Sequence, residues 1–153
     1  MIIMRKHTPI ITVTMLCASI VLSSCNIERN VPRSFYKEYR SEVTKSSLVK
    51  SMRVTFRRPA LTINVALSKS VGESVDNEIT RILEATKNYV TTDNMDRIGL
   101  YMGWGPGIWS VNLEITNFYG NTRIAKYTAD YYINNAYDDS PENIDGYKTW
   151  RTG

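Results

Sequence analysis

Histidine and cysteine, which supply many of the nucleophiles, general bases and zinc ligands of proteins, are confined to the first 25 residues. The chain has two cysteines, Cys17 and Cys25, and one histidine, His7. From residue 26 onward it has neither imidazole nor thiol. This part of the chain therefore cannot form a Ser-His-Asp or Cys-His nucleophile, a histidine general base, or a zinc site of Cys and His ligands. We expect it to hold no disulfide, no metal and no cofactor.

Carboxylates are the acid–base groups that remain. The acidic residues between 138 and 145 do not have the spacing of an Asp-x-Asp-x-Asp-Gly calcium loop, which favours a solvated loop. Glu114 and Asp130 lie on strands predicted to be neighbours, and two acids at a fixed distance in a cleft can hydrolyse a glycosidic bond. Because only strand pairing brings them together, we expect a protein that is not an enzyme and keep a carboxylate-based hydrolase as a distant alternative.

Trp104 lies in the loop Gly-Trp-Gly-Pro-Gly, residues 103–107. Three glycines allow unusual backbone conformations, and an aromatic side chain on a loop can stack on a sugar, a peptide or a lipid surface. A wide turn whose Trp104 folds back onto the core is the favoured interpretation. The loop lacks the lysine and the following helix of a phosphate-binding loop, which excludes that function.

Further aromatic residues follow this loop and could form a partner surface: Tyr127, Tyr131, Tyr132 and Tyr137, with Trp109 and Trp150. Tyrosine and tryptophan are enriched at protein interfaces, but tyrosine is also common on half-buried strands, and the structural role is favoured. The candidate partner-binding residues are therefore Trp104, Trp109, Tyr127 and Tyr131.

The N-terminus has the features of a secretory leader. Arg5, Lys6 and His7 precede an apolar run over residues 8–22, and small residues follow. The run is short and rich in threonine for a membrane-spanning helix, which needs about 20 apolar residues. Leu22-Ser23-Ser24-Cys25 resembles the lipobox of bacterial lipoproteins. The resemblance implies cleavage after residue 24, a diacylglyceryl group on Cys25 and attachment to the outer side of a cell membrane. It covers the first 25 residues only.

Charge is nearly balanced once this leader is set aside. Without Arg5 and Lys6, 17 Lys and Arg remain against 15 Asp and Glu, a net charge of +2. No basic stripe remains, so we expect no nucleic-acid partner. Residues 25–49 are rich in Lys and Arg and predict a tether, with a short helix from about Ser34. Its charges would either attract anionic head groups or only keep a linker soluble.

Residues 50–153 are predicted to form one domain. Alternating apolar residues predict antiparallel strands at about 50–58 and 61–68, joined near Pro59. An amphipathic helix is predicted at about 71–91, with a Ser70/Glu73 capping box and an apolar stripe that starts at Val71.

Two more strands are predicted after a polar break at residues 91–94. One contains Trp109 to Ile115, the next covers about 122–133, and Ile144, Tyr147 and Trp150 could form a last one. This order predicts an α+β domain, with a single antiparallel sheet of order β-β-α-β-β covered by one helix.

The expected function is that of a lipid-anchored, non-catalytic binding or accessory module. Its partners would be membrane lipid, through Cys25, and a protein or cell-envelope polymer. A structural or assembly subunit of an envelope machine is the alternative, and a hydrolase of envelope polymers is the distant one. An exposed Trp104 loop would favour the first function, an aromatic sheet face the second, and convergent acids in a cleft the third.

Overall fold

The computed structural model describes residues 27–69, 71–105 and 107–153. The predicted leader (residues 1–24), Cys25 and Ser70 lie outside these ranges. The strands are β1 (Arg29–Asn30), β2 (Val49–Arg57), β3 (Ala60–Leu67), β4 (Ser110–Asn117), β5 (Arg123–Asp130) and β6 (Trp150–Thr152). The helices are α1 (Lys37–Val43), α2 (Glu73–Tyr89) and α3 (Thr92–Tyr101), with 3-10 turns at Arg33–Tyr36 and Pro141–Asn143.

All six strands form one sheet whose spatial order equals their order in the chain. Every neighbouring pair is antiparallel except β3 and β4, which are parallel. The predicted α+β class and single sheet are confirmed, whereas the fully antiparallel sheet and the single covering helix are wrong. Residues 68–109, with α2 and α3, return the chain to the end of the sheet where β3 began. Because of this crossover, β4 runs in the same direction as β3 and pairs with it in parallel.

The hairpin of β2 and β3 confirms the sequence pattern. Arg57 is paired with Ala60 and Phe56 with Leu61, so the strands turn at residues 58–59. Paired residues project on the same side of a sheet. The apolar residues at even positions of β2 and at odd positions of β3 therefore share the core face.

Helix α2 is shorter than predicted but buries the expected stripe. It begins after Gly72, whose φ of 117° suits glycine, and Val71 is 83% exposed outside the helix. Placing Val71 in the apolar stripe was therefore wrong. Val75, Ile79 and Ile82 are buried against the sheet.

Helix α3 occupies the segment that the sequence predicted to begin with a polar break. Thr91 is its N-cap, with a hydroxyl that accepts a hydrogen bond from the backbone N–H of Asn94 at 3.3 Å. Met95, Ile98 and Met102 are buried beneath it. The polar residues that suggested a loop instead start a second helix.

Residues 27–49 do not form an exposed tether, which corrects the domain boundary predicted at residue 50. Arg29 in β1 is paired with Phe56 of β2, and the short helix predicted near Ser34 is present as the 3-10 turn and α1. Four side chains of this segment are buried in the same core as the sheet: Val31, Tyr36, Tyr39 and Val43. Their apolar contacts outweigh the basic composition that predicted a tether.

Two tyrosines join α1 to α2. The rings of Tyr39 and Tyr89 stack with centroids 4.4 Å apart, and the Tyr39 hydroxyl hydrogen-bonds the Thr86 hydroxyl at 2.6 Å. Burial raises the pKa of Tyr39, an effect that the Thr86 hydrogen bond partly opposes. The phenol is therefore neutral and serves as a buried hydrogen-bonding group.

The C-terminal strand is shorter than predicted. Only Trp150–Thr152 pairs with β5, while Ile144 makes one isolated bridge with Tyr132. Tyr147 lies in a turn with φ 65°. Because this residue takes a left-handed conformation, residues 144–152 cannot form one continuous strand.

The sheet has one covered face and one open face. The core-facing side chains of the central strands β3 and β4 are completely buried: Leu61, Ile63, Val65, Leu67, Val111, Leu113 and Ile115. The side chains between them are half-buried, in the alternation expected when one side of a sheet meets solvent. Within the described ranges, all three helices lie on the covered face, so the opposite face has no helical layer.

Candidate functional site

The strand register defines two ends of the sheet. At the entry end, Arg29 is beside Phe56, while Ala60, Ser110 and Asp130 lie next to one another. At the far end, Leu67 is beside Val49 on one side and Asn117 on the other. The candidate surfaces are located at different ends.

The loop with Trp104 lies at the entry end and folds back onto the protein. The Arg58 guanidinium donates to the Gly103 carbonyl at 2.7 Å, and Arg29 donates to the carbonyl of Met102. Trp104 is half-buried, packs against the core, and donates from its indole N–H to the Gly107 carbonyl at 3.4 Å. The favoured interpretation, a turn whose tryptophan folds back, matches this arrangement.

Gly99 of α3 allows the loop to cross the helix closely. A Cβ atom at this position would lie 2.3 Å from the Gly105 carbonyl oxygen. The Gly99 carbonyl also accepts hydrogen bonds from the backbone N–H groups of Trp104 at 2.9 Å and Gly105 at 3.4 Å. Only a glycine permits this approach without a shift of the backbone.

Trp104 and Trp109 belong to one aromatic row, defined here as Trp104, Trp109 and Tyr137. The tryptophan rings meet edge to face with centroids 5.8 Å apart, and Tyr137 meets Trp109 similarly at 5.6 Å. The Arg58 guanidinium lies 5.8 Å from the centre of the Trp104 ring, within cation–π range. Tyr137, which is 86% exposed, was among the tyrosines that suggested a partner surface, but not among the four candidate residues selected from the sequence. Its place depends on how the chain returns after β5, which no local pattern predicts.

Tyr127 and Tyr131 take different positions. Tyr127 is paired with Leu113 on the covered face and is half-buried. The backbone N–H of Tyr131 donates to the carbonyl of Trp109 at 2.9 Å, and its ring packs 5.5 Å from that of Tyr147. The structure therefore places Tyr131 beside the aromatic row and Tyr127 further along the sheet, away from it.

Tyr147 hydrogen-bonds the backbone just before β4. Its hydroxyl donates to the carbonyl of Ile108, and burial, together with the nearby Asp96 carboxylate, raises its pKa. Asp96 in turn accepts a hydrogen bond from the backbone N–H of Gly107 at 2.6 Å. The Tyr147 hydroxyl and the Asp96 carboxylate therefore both serve as structural hydrogen-bonding groups.

Glu114 and Asp130 are too far apart to act as a pair. Glu114 is paired with Lys126 and Asp130 with Ser110, so four residues separate them along the strands. This corresponds to about 13 Å, beyond the roughly 9.5 Å that the two acids of an inverting glycosidase span. Glu114 has Lys126 as ion-pair partner at 3.8 Å, and Asp130 has Arg151. Pairing these two acids in one site was wrong, because strand adjacency does not fix their offset.

The acidic loop uses its carboxylates for internal hydrogen bonds. Asp139 accepts from the Tyr132 hydroxyl at 2.7 Å, and this bond raises the pKa of Tyr132 to about 12. Asp145 accepts from both the backbone N–H and the hydroxyl of Thr149. Burial alone would raise the pKa of Asp145, but the bonds from Thr149 prevail and lower it. Within residues 27–69, 71–105 and 107–153, no group of acids has the geometry of a metal site.

Asn143 organises the same loop. Its amide nitrogen donates to the carbonyls of Asn135 at 2.6 Å and Asp138 at 2.7 Å. Its amide oxygen accepts from the backbone N–H groups of Asn134 at 3.0 Å and Asn135 at 3.3 Å. The side chain is 5% exposed, so these bonds replace solvent for the loop backbone.

A polar groove of about 420 Å³ crosses the open face toward the far end of the sheet. Its lining residues are Ser51, Arg53, Asn64, Ala66, Thr116, Asn117, Phe118 and Asn121. Arg53 donates to the side-chain oxygen of Asn30 at 2.7 Å, and no described carboxylate lies within ion-pair distance of it. Phe118 is 52% exposed at the end of the groove. This groove was not predicted from the sequence, because its residues come from separate strands and form no motif.

Comparisons with known proteins give no information on the function of this chain. No protein-family model, characterised protein or solved structure matches this chain. Among the residues that the structure describes, no helix has the length and apolar character needed to cross a bilayer.

Proposed function

We propose that this protein is a bacterial lipoprotein, held outside the cytoplasm by a lipid on Cys25, that acts as a non-catalytic binding or accessory module. Its partner is a protein or a cell-envelope polymer. The leader pattern that ends in Leu22-Ser23-Ser24-Cys25 supports the anchor. The fold supports the binding role.

The open face of the sheet is the observation that carries the binding role. Most of its side chains on the two central strands are polar or charged, including Thr62, Asn64, Asn112 and Glu114, and the others are small alanines. No described helix covers them, and a rigid sheet holds them at fixed spacing. A surface with many hydrogen-bonding groups and little order to lose can bind a partner at low entropic cost.

The groove on this face suits an extended partner that carries carboxylates or hydroxyl groups. Arg53 can form a bidentate pair with a carboxylate, because its guanidinium presents parallel N–H donors. Asn64 and Asn121 add amide donors and acceptors, and exposed Phe118 offers an apolar surface for stacking. Peptides and envelope polymers both offer such groups.

The criterion of an exposed Trp104 loop is not met, because Trp104 is half-buried against the core, so the binding role depends on the open face alone. The two alternatives also lack support in the described residues. An assembly subunit was expected to expose an aromatic sheet face, whereas the exposed face is polar. A hydrolase would need convergent acids, and Glu114 and Asp130 do not converge. The binding module is therefore the function that the geometry favours.

The anchor is tested by metabolic labelling with radioactive palmitate. The wild-type chain should carry the label and fractionate with membranes, and Cys25→Ser should abolish the label. The control is Ser24→Ala, which keeps a small residue before the cut. Label that persists in Cys25→Ser would show that the lipid, if any, is attached elsewhere.

The binding face is tested by photocrosslinking in the intact envelope. A photoreactive residue in place of Asn64, on the open face, should form a discrete crosslinked species. The matched control replaces Asn77, an exposed asparagine on α2. Arg53→Glu should reduce the Asn64 crosslink because it reverses the charge in the groove. Equal crosslinking at both positions, or no effect of Arg53→Glu, would contradict the proposal.

A further inference from the structure

The first described strand begins very close to the proposed lipid site. Only four residue steps separate Cys25 from Arg29 of β1. A fully extended chain spans at most about 3.5 Å per residue, so the Cα atom of Arg29 lies within about 14 Å of the Cα atom of Cys25. Because Arg29 is paired with Phe56, the entry end of the sheet is the part of the domain that is held near the bilayer.

Three exposed apolar or aromatic side chains lie at this end, on the segment that leads from Cys25 and on α3. Ile27 is 62% exposed, and Leu100 and Tyr101, at the end of α3, are 61% and 62% exposed. These helix residues directly precede the Trp104 loop in the chain. The next residue, Met102, accepts a hydrogen bond from Arg29 through its carbonyl, which places the end of α3 beside β1. Solvation of such side chains is unfavourable, so an apolar neighbour would stabilise the arrangement.

Arginines surround the same patch. Arg57 is exposed at the end of β2, Arg58 in the turn that follows it, and Arg97 on α3. The Arg97 guanidinium lies 5.9 Å from the ring centre of Phe35. Exposed arginines beside aromatic and apolar side chains match the layered chemistry of a bilayer surface, with anionic phosphates above acyl chains.

We propose that the entry end of the sheet is a membrane-contact surface, in which Leu100, Tyr101 and Ile27 enter the head-group region and Arg57, Arg58 and Arg97 bind lipid phosphates. This inference rests on the lipid anchor of the proposed function. The occupant is the lipid surface itself, because the short link from Cys25 brings this end to the bilayer. Glu28 and Asp93 also lie in this region and would be repelled by lipid phosphates. The three arginines outnumber these two acids, so the net charge of the surface favours anionic lipid.

The contact fixes the orientation of the binding groove. The groove lies toward the far end of the sheet, where β3 and β4 end and Phe118 and Tyr119 are exposed. With the entry end on the lipid surface, this far end points away from it. Lipid contact and partner binding thus use opposite ends of one rigid sheet.

The experiment compares one exposed position at each end. Leu100→Cys and Tyr119→Cys place a thiol at the entry end and at the far end, and each side chain is largely exposed in the folded protein. In the processed protein the new cysteine is the only reactive thiol, because Cys17 is removed and Cys25 is acylated. Each full-length lipoprotein is labelled with a nitrobenzoxadiazole fluorophore. It is then reconstituted into vesicles of phosphatidylethanolamine and phosphatidylglycerol, with or without doxyl-labelled lipid.

The expected result is a difference between the two ends. The label at position 100 should shift to shorter emission wavelength and lose most of its intensity in doxyl-lipid vesicles, whereas the label at position 119 should change little. Equal quenching at both positions overturns the inference. So does a label at position 100 that is shielded from aqueous iodide but not quenched by doxyl lipid, since a protein neighbour would then cover this end.

Failure of the anchor is distinguished by the palmitate label. A protein that carries palmitate but shows no quenching at position 100 contradicts the membrane contact and leaves the proposed function standing. A protein without palmitate contradicts the proposed function, and this inference with it. Circular dichroism of both variants checks that each has the wild-type fold.

Discussion

Gly99→Ala should destabilise the protein, although alanine is the better helix former. The new Cβ atom would lie 2.3 Å from the carbonyl oxygen of Gly105, while real Cβ contacts essentially never fall below 3.0 Å. The loop must therefore move by at least 0.7 Å. Its backbone is held to the Gly99 carbonyl by the N–H groups of Trp104 and Gly105, so the movement strains both hydrogen bonds.

The expected loss follows from three contributions to the free energy of unfolding. Overpacking costs about 1–3 kcal/mol, and each weakened hydrogen bond costs up to about 1 kcal/mol. Higher helix propensity returns about 1 kcal/mol. The net expectation for Gly99→Ala is a loss of about 2 kcal/mol, and at about 3 °C per kcal/mol the Tm falls by about 6 °C.

Urea unfolding, followed by tryptophan fluorescence, measures this loss. The matched control is Gly120→Ala in the turn between β4 and β5, where a Cβ atom would make an ordinary 3.4 Å contact with the Thr122 hydroxyl. The control should stay within about 0.5 kcal/mol of wild type. A Gly99→Ala protein as stable as wild type, with unchanged tryptophan emission, would refute the close crossing of loop and helix.

Three other substitutions test internal hydrogen bonds. Thr86→Val leaves the buried Tyr39 hydroxyl without its partner and should cost about 1–3 kcal/mol; additive effects with Tyr39→Phe in urea unfolding would contradict this. Asp139→Asn should lower the pKa of Tyr132 from about 12 toward its ordinary 10.0, measured by NMR of labelled tyrosine. Because the folded pKa is raised, this bond stabilises the protein below pH 10 and its contribution is lost as the pH rises through about 12. Asn143→Ala removes four loop hydrogen bonds and should speed amide exchange in the loop after β5; unchanged exchange would count against its role.

Local patterns predicted the elements whose signals are local. The hairpin of β2 and β3 follows from alternation on either side of Pro59, and α2 follows from its apolar stripe. Helix α3 was missed because Thr91 and Asn94 carry the same side-chain chemistry in a helix cap as in a loop. The apolar signal that remained was weak, because the buried side of this helix consists only of Met95, Ile98 and Met102.

Long-range arrangements were beyond these patterns. The parallel pairing of β3 and β4 depends on where the crossover returns the chain, and strand alternation is the same in either direction. The sequence identified Trp104 and Trp109 as aromatic candidates but did not predict the contact of Trp109 with Tyr137, which requires the loop after β5 to close. The groove around Arg53 assembles from residues on different strands, so no spacing in the sequence indicates it.

The parallel seam between β3 and β4 has a consequence for the order of folding. It joins two three-stranded antiparallel ribbons, β1–β3 and β4–β6. The β2–β3 and β4–β5 hairpins close over short turns, whereas the seam must close over residues 68–109, and the entropic cost of closure grows with loop length. Each hairpin can therefore form early and the seam late. Conservative truncations in the crossover that closes the seam, such as Ile82→Val at a buried position of α2, should then mainly accelerate unfolding. Truncations within a hairpin, such as Ile63→Val opposite Val54, should instead slow refolding.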